Sequence, residues 1–310
     1  MQNRKTLTLI TPVFNEEDNL SRYYDTVKNV LLDKTQISFN ILFVDDGSRD
    51  KSWEKIEMLC QKDNRLKALR LSRNVGSHAA ISAGLDHASS DACAVLACDL
   101  QDTPETILDM VEKWQAGADI VFAHRRQRHD GFLRGLTSDF FNKLLARFAM
   151  PKGSAFASGS FLLADKQVVQ AYCSMREHHC ITFALMAWTG FHQEKVFYNR
   201  AARIAGKTGW SFARLFKALY DAFIGFSQIP IIAFLYVGVV TFLLSVLLAI
   251  YSVWSYFLNP SAMPGWTSLA SMIGLLFGIQ FLMLSVMGEY LYRIYIESMR
   301  RPRYFIAKKL

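Results

Sequence analysis

Acid and amide residues recur in this chain just after short apolar runs, where a folded sheet would present them together. Asp45 and Asp46 follow the run Phe39–Val44 and lead into Gly47 and Ser48, while Asp99 follows directly on Ala92–Cys98, with Gln101 two residues on. Pro12, Phe14, Asn15 and Glu16 come after Leu7–Thr11, and Arg73 comes after Leu66–Leu71. Carboxylates so placed suit a ribose, a base edge or a divalent cation, and Asp99 with Gln101 offers the hard oxygens that hold magnesium or manganese. Each acid also has a plain structural use. Asp-Gly-Ser is a common turn, and Asn15 ahead of Glu16, Glu17 and Asp18 reads as a helix cap with a dipole-matched first turn. Their joint placement after successive runs is what points to a binding edge.

Neither GxGxxG nor GxxxxGK[ST] occurs, so no dinucleotide fingerprint or Walker loop is present. With three acids opening the first expected helix, its positive end is already compensated, and a diphosphate would need a metal ion or an arginine such as Arg73. Cys98 reads as a small buried residue, since thiolate prefers softer metals. His78, close behind Gly76, falls on the same edge, whereas His178 and His179 sit in a polar stretch and read as surface residues.

These residues need a scaffold. Leu7–Thr11, Phe39–Val44, Leu66–Leu71, Ala92–Cys98 and Asp119–Ala123 read as strands, and the stretches between them carry apolar residues at helical spacing, as in Leu20, Tyr23, Tyr24, Val27 and Leu31. Alternating β and α predicts an open, mostly parallel sheet that binds ligands beyond the carboxyl ends of its strands. A basic stretch His124–Arg134, a helix-like segment Ser138–Phe148 and a small-residue loop Gly153–Ser160 follow.

Charge then divides the chain. Of 310 residues, 35 are basic and 27 acidic, yet none of these falls between Asp221 and Glu289. That gap accommodates two membrane helices, about 229–257 and 267–288, joined by a turn containing Asn259, Pro260, Pro264 and Gly265. The turn has no lysine or arginine while both outer flanks do, which predicts cytoplasmic termini. The expected organisation is a cytoplasmic soluble domain over 1–205, an amphipathic interfacial region over 206–228, the membrane hairpin within 229–290, and a basic tail over 291–310. Half of the net charge of +8 lies at that end, with six basic residues against two acidic from Glu289 onward, so the basicity reports a membrane surface rather than nucleic acid. Five scattered cysteines with no CxxC spacing fit a reducing compartment.

PVFNEE, VDDGS, LSRNVGSHAAISAGLDHA, DLQDTPE and EKWQAGADIV, in this order, resemble glycosyltransferase family 2. The chain is similar, through its hairpin and the tail GEYLYRIYIESMRRPRYF, to the polyprenyl-phosphate members, among them bactoprenol glucosyltransferase, the undecaprenyl-phosphate aminoarabinose transferase and dolichyl-phosphate mannose synthase. The resemblance implies a GT-A fold, Rossmann-like, that passes a sugar from a nucleotide sugar, usually a uridine diphosphate sugar, to a polyprenyl phosphate at the inner face of a bacterial cytoplasmic membrane. Such a product serves cell-envelope glycans, including modification of lipopolysaccharide O-antigen, and two helices per chain leave room for a homo-oligomer. It further implies that Pro12, Phe14, Asn15, Glu16, Asp45, Asp46, Arg73 and Asp99 line the nucleotide. Asp99 and Gln101 would hold Mg2+ or Mn2+. Arg125, Arg126, Arg134, Arg200 and Arg203 would meet the acceptor phosphate, and Asp99, Arg125, Arg134 and Arg203 are the expected catalytic set.

The chain departs from that pattern at four positions. Ala97 stands where the family has the first aspartate of its DxD, Ser160 and Leu162 replace the aspartate and arginine of GDFR, and Gly209 replaces the lysine of GxSK. A phosphate monoester with a second pKa near 6 is already anionic at neutral pH, so this acceptor needs little help from a base. The same departures motivate a second expectation, a catalytically silent relative that binds nucleotide sugar or lipid as a scaffold.

Overall fold

The computed structural model describes residues 4–33, 37–126, 155, 161–175, 177, 181–199, part of 236–254, and 265–310. Each of the five runs expected as strands forms one: β1 (Thr6–Val13), β2 (Ser38–Asp45), β3 (Leu66–Leu71), β4 (Ala92–Val95) and β5 (Ile120–Arg125). Between them lie α1 (Leu20–Val27, extended by a wider turn Lys28–Leu32), α2 (Ser52–Lys62), α3 (Ser77–His87) and α4 (Glu105–Gln115). Then come β6 (Phe161–Asp165), α5 (Lys166–Ser174), α6 (Thr182–Trp188) and β7 (Gln193–Tyr198), and, at the C-terminal end, α7 (Trp266–Ser298) and β8 (Ile306–Lys309).

All eight strands join one sheet in the order β7-β5-β6-β4-β1-β2-β3-β8. β3, β2, β1 and β4 run parallel, and the order reverses at β1, because β2 and β3 add on one side and β4 on the other. A reversal of this kind opens a crevice at the carboxyl ends of the two strands that flank it. Helices α1, α2 and α4 pack on one face, and α3, α5 and α6 on the opposite face. β6 runs antiparallel between β4 and β5, β7 runs parallel to β5, and β8 runs antiparallel to β3.

The core sits on both faces of β1 and β2. Leu7, Leu9 and Val13 pack with Leu20, Tyr23, Val27, Ile56, Ile107 and Met110 in one buried cluster. Tyr23 is fully buried, with its hydroxyl 2.5 Å from Thr11 Oγ1 and its ring edge-on to Phe43. On the other face a Cβ at Gly84 would meet Ile10 Cγ2 at 2.4 Å, so a bare backbone is what lets α3 lie close on β1.

Two boundaries differ from the sequence expectation. β4 leaves the ladder at Val95 rather than Cys98, which frees 96–99 to form the wall of the crevice. Helix α1 opens at Leu20 with no acid in its first turn, so Glu16, Glu17 and Asp18 belong to the preceding loop and do not offset the helix dipole.

By packing, residues 1–219 with 302–310 form one unit and 220–301 a second. In the second, α7 is 33 residues long, about 50 Å at 1.5 Å per residue, and its segment Leu275–Ser298 is long and apolar enough to cross a bilayer. The helix continues past the expected end at 288 through an Arg293–Glu289 pair at 3.0 Å, one turn apart. Of the first expected span, 236–241 and further described positions up to Trp254 are helical. The amphipathic region lies outside the described residues.

Candidate active site

Three loops at the crevice brace one another through side chains that accept from backbone. Asn15 adopts φ +54°, its N–H donates to Ser48 Oγ at 3.0 Å, and its Oδ1 accepts from Arg49 N at 2.9 Å. Glu16 N donates to Ser52 Oγ at 2.9 Å, and Glu17 N to Asp50 Oδ2 at 3.2 Å. Burial pulls the Asp50 carboxyl upward, but the hydrogen bonds from Ser52 and Glu17 outweigh it and leave the group more acidic than usual.

The Asp45 side chain is wholly buried. Its Oδ1 accepts from Ser48 N at 3.1 Å, and its Oδ2 pairs with Arg70 Nε at 3.2 Å without hydrogen-bond alignment. Burial pushes this carboxyl above its usual range, against the pull of Ser48 and Arg70. In this structure the Asp45 carboxylate faces inward and fixes the turn after β2. Asp46 accepts from Val75 N at 2.8 Å and Gly76 N at 2.9 Å, and burial raises its carboxyl too. Those bonds tie β2 to the loop carrying Arg73. The same loop crosses Gly47 so closely that a Cβ there would sit 2.8 Å from the Arg73 carbonyl carbon, and Gly47 has φ +69°. Above this brace stand the Phe14 ring, 43% exposed, and the exposed Arg73.

Where β4 ends, Ala97, Cys98 and Asp99 form the second wall. Asp99 is half-buried and its Oδ1 accepts from Gln101 N at 3.2 Å, across Leu100 at φ +51°. Cys98 is buried, and its thiol is pushed far up by burial, then by the charges of Glu16 and Asp99. His78, at the start of α3, has its ring edge-on to Phe183, and burial draws its imidazole below its usual range.

A third group lies at the ends of β5 and β7. Register pairs Arg125 with Tyr198, so the two side chains leave neighbouring strands side by side. Arg125 Nε donates to Tyr198 Oη at 3.3 Å, and the Tyr198 hydroxyl in turn donates to Asp102 Oδ1. Arg125 Nη2 lies 4.0 Å from the same carboxylate oxygen. Burial and the Asp102 charge raise the Tyr198 phenol well above its ordinary range. Arg126 is exposed, its N–H held by Tyr198 O at 2.9 Å. Leu162 is fully buried in β6 opposite Phe122, so the position where the family carries an arginine is core in this chain. Asp102 and Tyr198 were not singled out in the sequence, although Asp102 lies inside DLQDTPE.

Residues 8–173, more than half of the chain, match the family described as Glycosyl transferase family 2. The prophage bactoprenol glucosyl transferase homolog of Escherichia coli K12 is 35% identical over 303 residues, covering 97% of this chain and 98% of the relative. The chain belongs to glycosyl transferase family 2. The bactoprenol glucosyl transferase of Shigella phage SfV is likewise 35% identical over 304 residues and covers 98% of each chain. Among solved structures, the mannosyltransferase PcManGT from Pyrobaculum calidifontis, in complex with GDP-Man and Mn2+, has a TM-score of 0.51 at 15% identity, covering 96% of this chain and 88% of the other. That likeness concerns the fold alone, and the fold is GT-A.

This family 2 glycosyltransferase thus brings Phe14, Glu16, Arg73, Asp99 and Gln101 to the loops of one sheet edge, with Arg125 at the end of β5. The expected residues Arg134, Arg200 and Arg203 lie outside the described residues, as do Ser160, Gly209, His178 and His179. Among the described residues no three His, Cys, Asp or Glu side chains gather as a metal cage. Asp99 with Gln101 supplies one carboxylate and one amide, both hard oxygens. Asp99 is half-buried and Gln101 buried, and oxygens of this hard kind are those that divalent cations take.

Proposed function

We propose that this enzyme transfers a sugar from a uridine diphosphate sugar to a polyprenyl phosphate at the cytoplasmic face of the membrane. The observation that carries the reading is the extent of the likeness to bactoprenol glucosyl transferases, which runs through the apolar C-terminal helix as well as the sheet. In this reading Phe14 offers its exposed face to the base, and the braced loops behind it keep that face in place. Arg73 supplies charge toward the diphosphate, and Asp46 holds its loop through Val75 and Gly76.

Asp99 and Gln101 would hold the divalent ion, which when bound neutralises charge on the departing nucleoside diphosphate. Arg125 and Arg126 meet the acceptor phosphate, with Arg134, Arg200 and Arg203 completing its cradle. The acceptor is an anion before it enters the site, so its oxygen attacks without surrendering a proton to a side chain. A serine at 160, where the family has its aspartate, is therefore compatible with turnover.

The test offers detergent-purified full-length protein a panel of uridine and guanosine diphosphate sugars with undecaprenyl phosphate, and looks for a lipid-linked sugar. Product from a uridine diphosphate sugar supports the reading. Tight nucleotide-sugar binding without product from any donor replaces it with the silent, scaffolding relative that Ala97 suggests.

A further inference from the structure

Arg125 is held at this site by groups that have no part in the chemistry so far. Its guanidinium carries five donors in one plane, and a bond at Nε determines how that plane is turned. Here the bond goes to the Tyr198 hydroxyl at 3.3 Å, an oxygen already committed as donor to Asp102 Oδ1. A hydroxyl that gives its only proton to a carboxylate must present lone pairs elsewhere, so it is an acceptor where Arg125 needs one. Asp102 itself remains 4.0 Å from Arg125 Nη2, close enough to balance the charge and too far to bind it directly.

We infer that Asp102 and Tyr198 are positioning residues that hold Arg125 ready for the acceptor phosphate, the phenol acting as a spacer between the guanidinium and the carboxylate. The inference rests on the assignment of Arg125 to the acceptor in the proposed function. Three strand ends meet in this arrangement. Tyr198 comes from β7 at the edge, Arg125 from β5 beside it, and Asp102 from the loop that leaves β4 through Asp99 and Gln101. Without the phenol oxygen, the guanidinium is free to close the gap and pair with Asp102 outright. An arginine engaged by a carboxylate is a poorer anion receptor, because the phosphate must displace a charge-assisted partner rather than join an open fork. The phenol thus lets a carboxylate tune the arginine without capturing it.

The experiment measures the KM for undecaprenyl phosphate and for the nucleotide sugar, and direct binding of undecaprenyl phosphate, in full-length wild type, Tyr198→Phe, Asp102→Asn, Arg125→Ala and Tyr198→Phe/Arg125→Ala. Tyr198→Phe should raise the KM and Kd for the lipid about tenfold, the scale of one hydrogen bond to a charged group, and leave the donor KM within about twofold. Asp102→Asn still accepts from the phenol, so its effect should be smaller. In the Arg125→Ala background Tyr198→Phe should add nothing, since what it positions is gone. The melting temperature of Tyr198→Phe should stay at the wild-type value.

A Tyr198→Phe effect that falls equally on donor and acceptor, that adds to Arg125→Ala, or that tracks a loss of melting temperature makes the cluster a brace for the loop after β4 and overturns the inference. Wild-type turnover with variants that bind lipid as wild type does overturns this inference alone. No lipid binding and no product from wild type overturns it together with the proposed function.

Discussion

Asp99 is the residue on which the chemistry of this site turns, because Ala97 leaves it the one carboxylate between β4 and Gln101. Removing a preorganised group aimed at developing charge commonly costs about 10² to 10³-fold in turnover. Asp99→Ala should lose at least that much, with nucleotide-sugar binding measured alongside to show that the fold survives. Cys98→Ala should keep turnover within about twofold, because its thiol is buried and protonated. Phe14→Ala should raise the donor KM about tenfold while sparing the KM for lipid, since stacking on a base is worth about 1–3 kcal/mol. At this scale the sequence was informative about location and less so about role. Asp46, Asp99 and Gln101 lie in the loops after β2 and β4 and Asp45 ends β2, but spacing could not tell that the Asp45 carboxylate turns inward to Ser48 and Arg70. Burial decides that, and burial depends on the neighbours. Tyr198 was illegible for another reason: it ends a strand, QEKVFY, whose alternation is too short and too polar to stand out.

Among the elements, pattern did not find β6, β7 and β8, and the last two are the edges of the sheet. β8 follows directly on the expected membrane region and is rich in lysine, which reads as a solvated tail. In the fold it pairs with β3, with Ser72 N donating to Phe305 O at 2.9 Å, while Arg303 Nη2 donates to Met175 O and Tyr304 Oη to Asp86 at 2.7 Å. Lysines on an edge strand also protect it from pairing with other chains. Deleting 302–310 should therefore lower the melting temperature by about 5 °C or more, whereas Lys309→Ala should move it by less than about 2 °C. The parallel half, by contrast, was read correctly because its strands are buried on both faces and give continuous apolar runs.

A further element-scale test uses acid. Arg65 grips Asp63 through Nε at 2.9 Å and Nη2 at 2.7 Å, and also donates to Leu32 O at 2.7 Å, fastening the end of α1 to the turn before β3. The hydrogen bonds from Arg65 hold the Asp63 carboxyl down to about 2. A carboxyl depressed in the folded state adds stability that is whole above its unfolded pKa, about 3.9, and that drains away as pH falls toward 2. Asp63→Asn should accordingly lower the melting temperature at pH 7, and the gap to wild type should narrow below pH 4. An equal gap at both pH values would mean that the charge contributes nothing.

On the scale of the whole molecule, β8 has a topological consequence. It shares a sheet with β1–β7, so the chain that leaves the first unit near 219 returns to it at 302. Any membrane segment in between must then begin and end on one side, which requires an even number of crossings. The proposed hairpin, with both ends on one side of the membrane, would put the turn near Asn259 on the other. In a variant free of its own cysteines, a cysteine at Ser261 should react with a membrane-impermeant reagent from outside intact cells, and one at Leu310 should not. Labelling at Leu310 from outside would break the link between the sheet and the cytoplasmic face.

In the proposed function a GT-A site with one carboxylate between β4 and Gln101 passes its sugar to a lipid phosphate. It is tested most directly by nucleoside diphosphate release from full-length enzyme, with and without undecaprenyl phosphate, in magnesium or manganese and again after chelation. Release should depend on both lipid and metal and vanish in Asp99→Ala. Release that ignores the lipid, or that persists in Asp99→Ala, would contradict it.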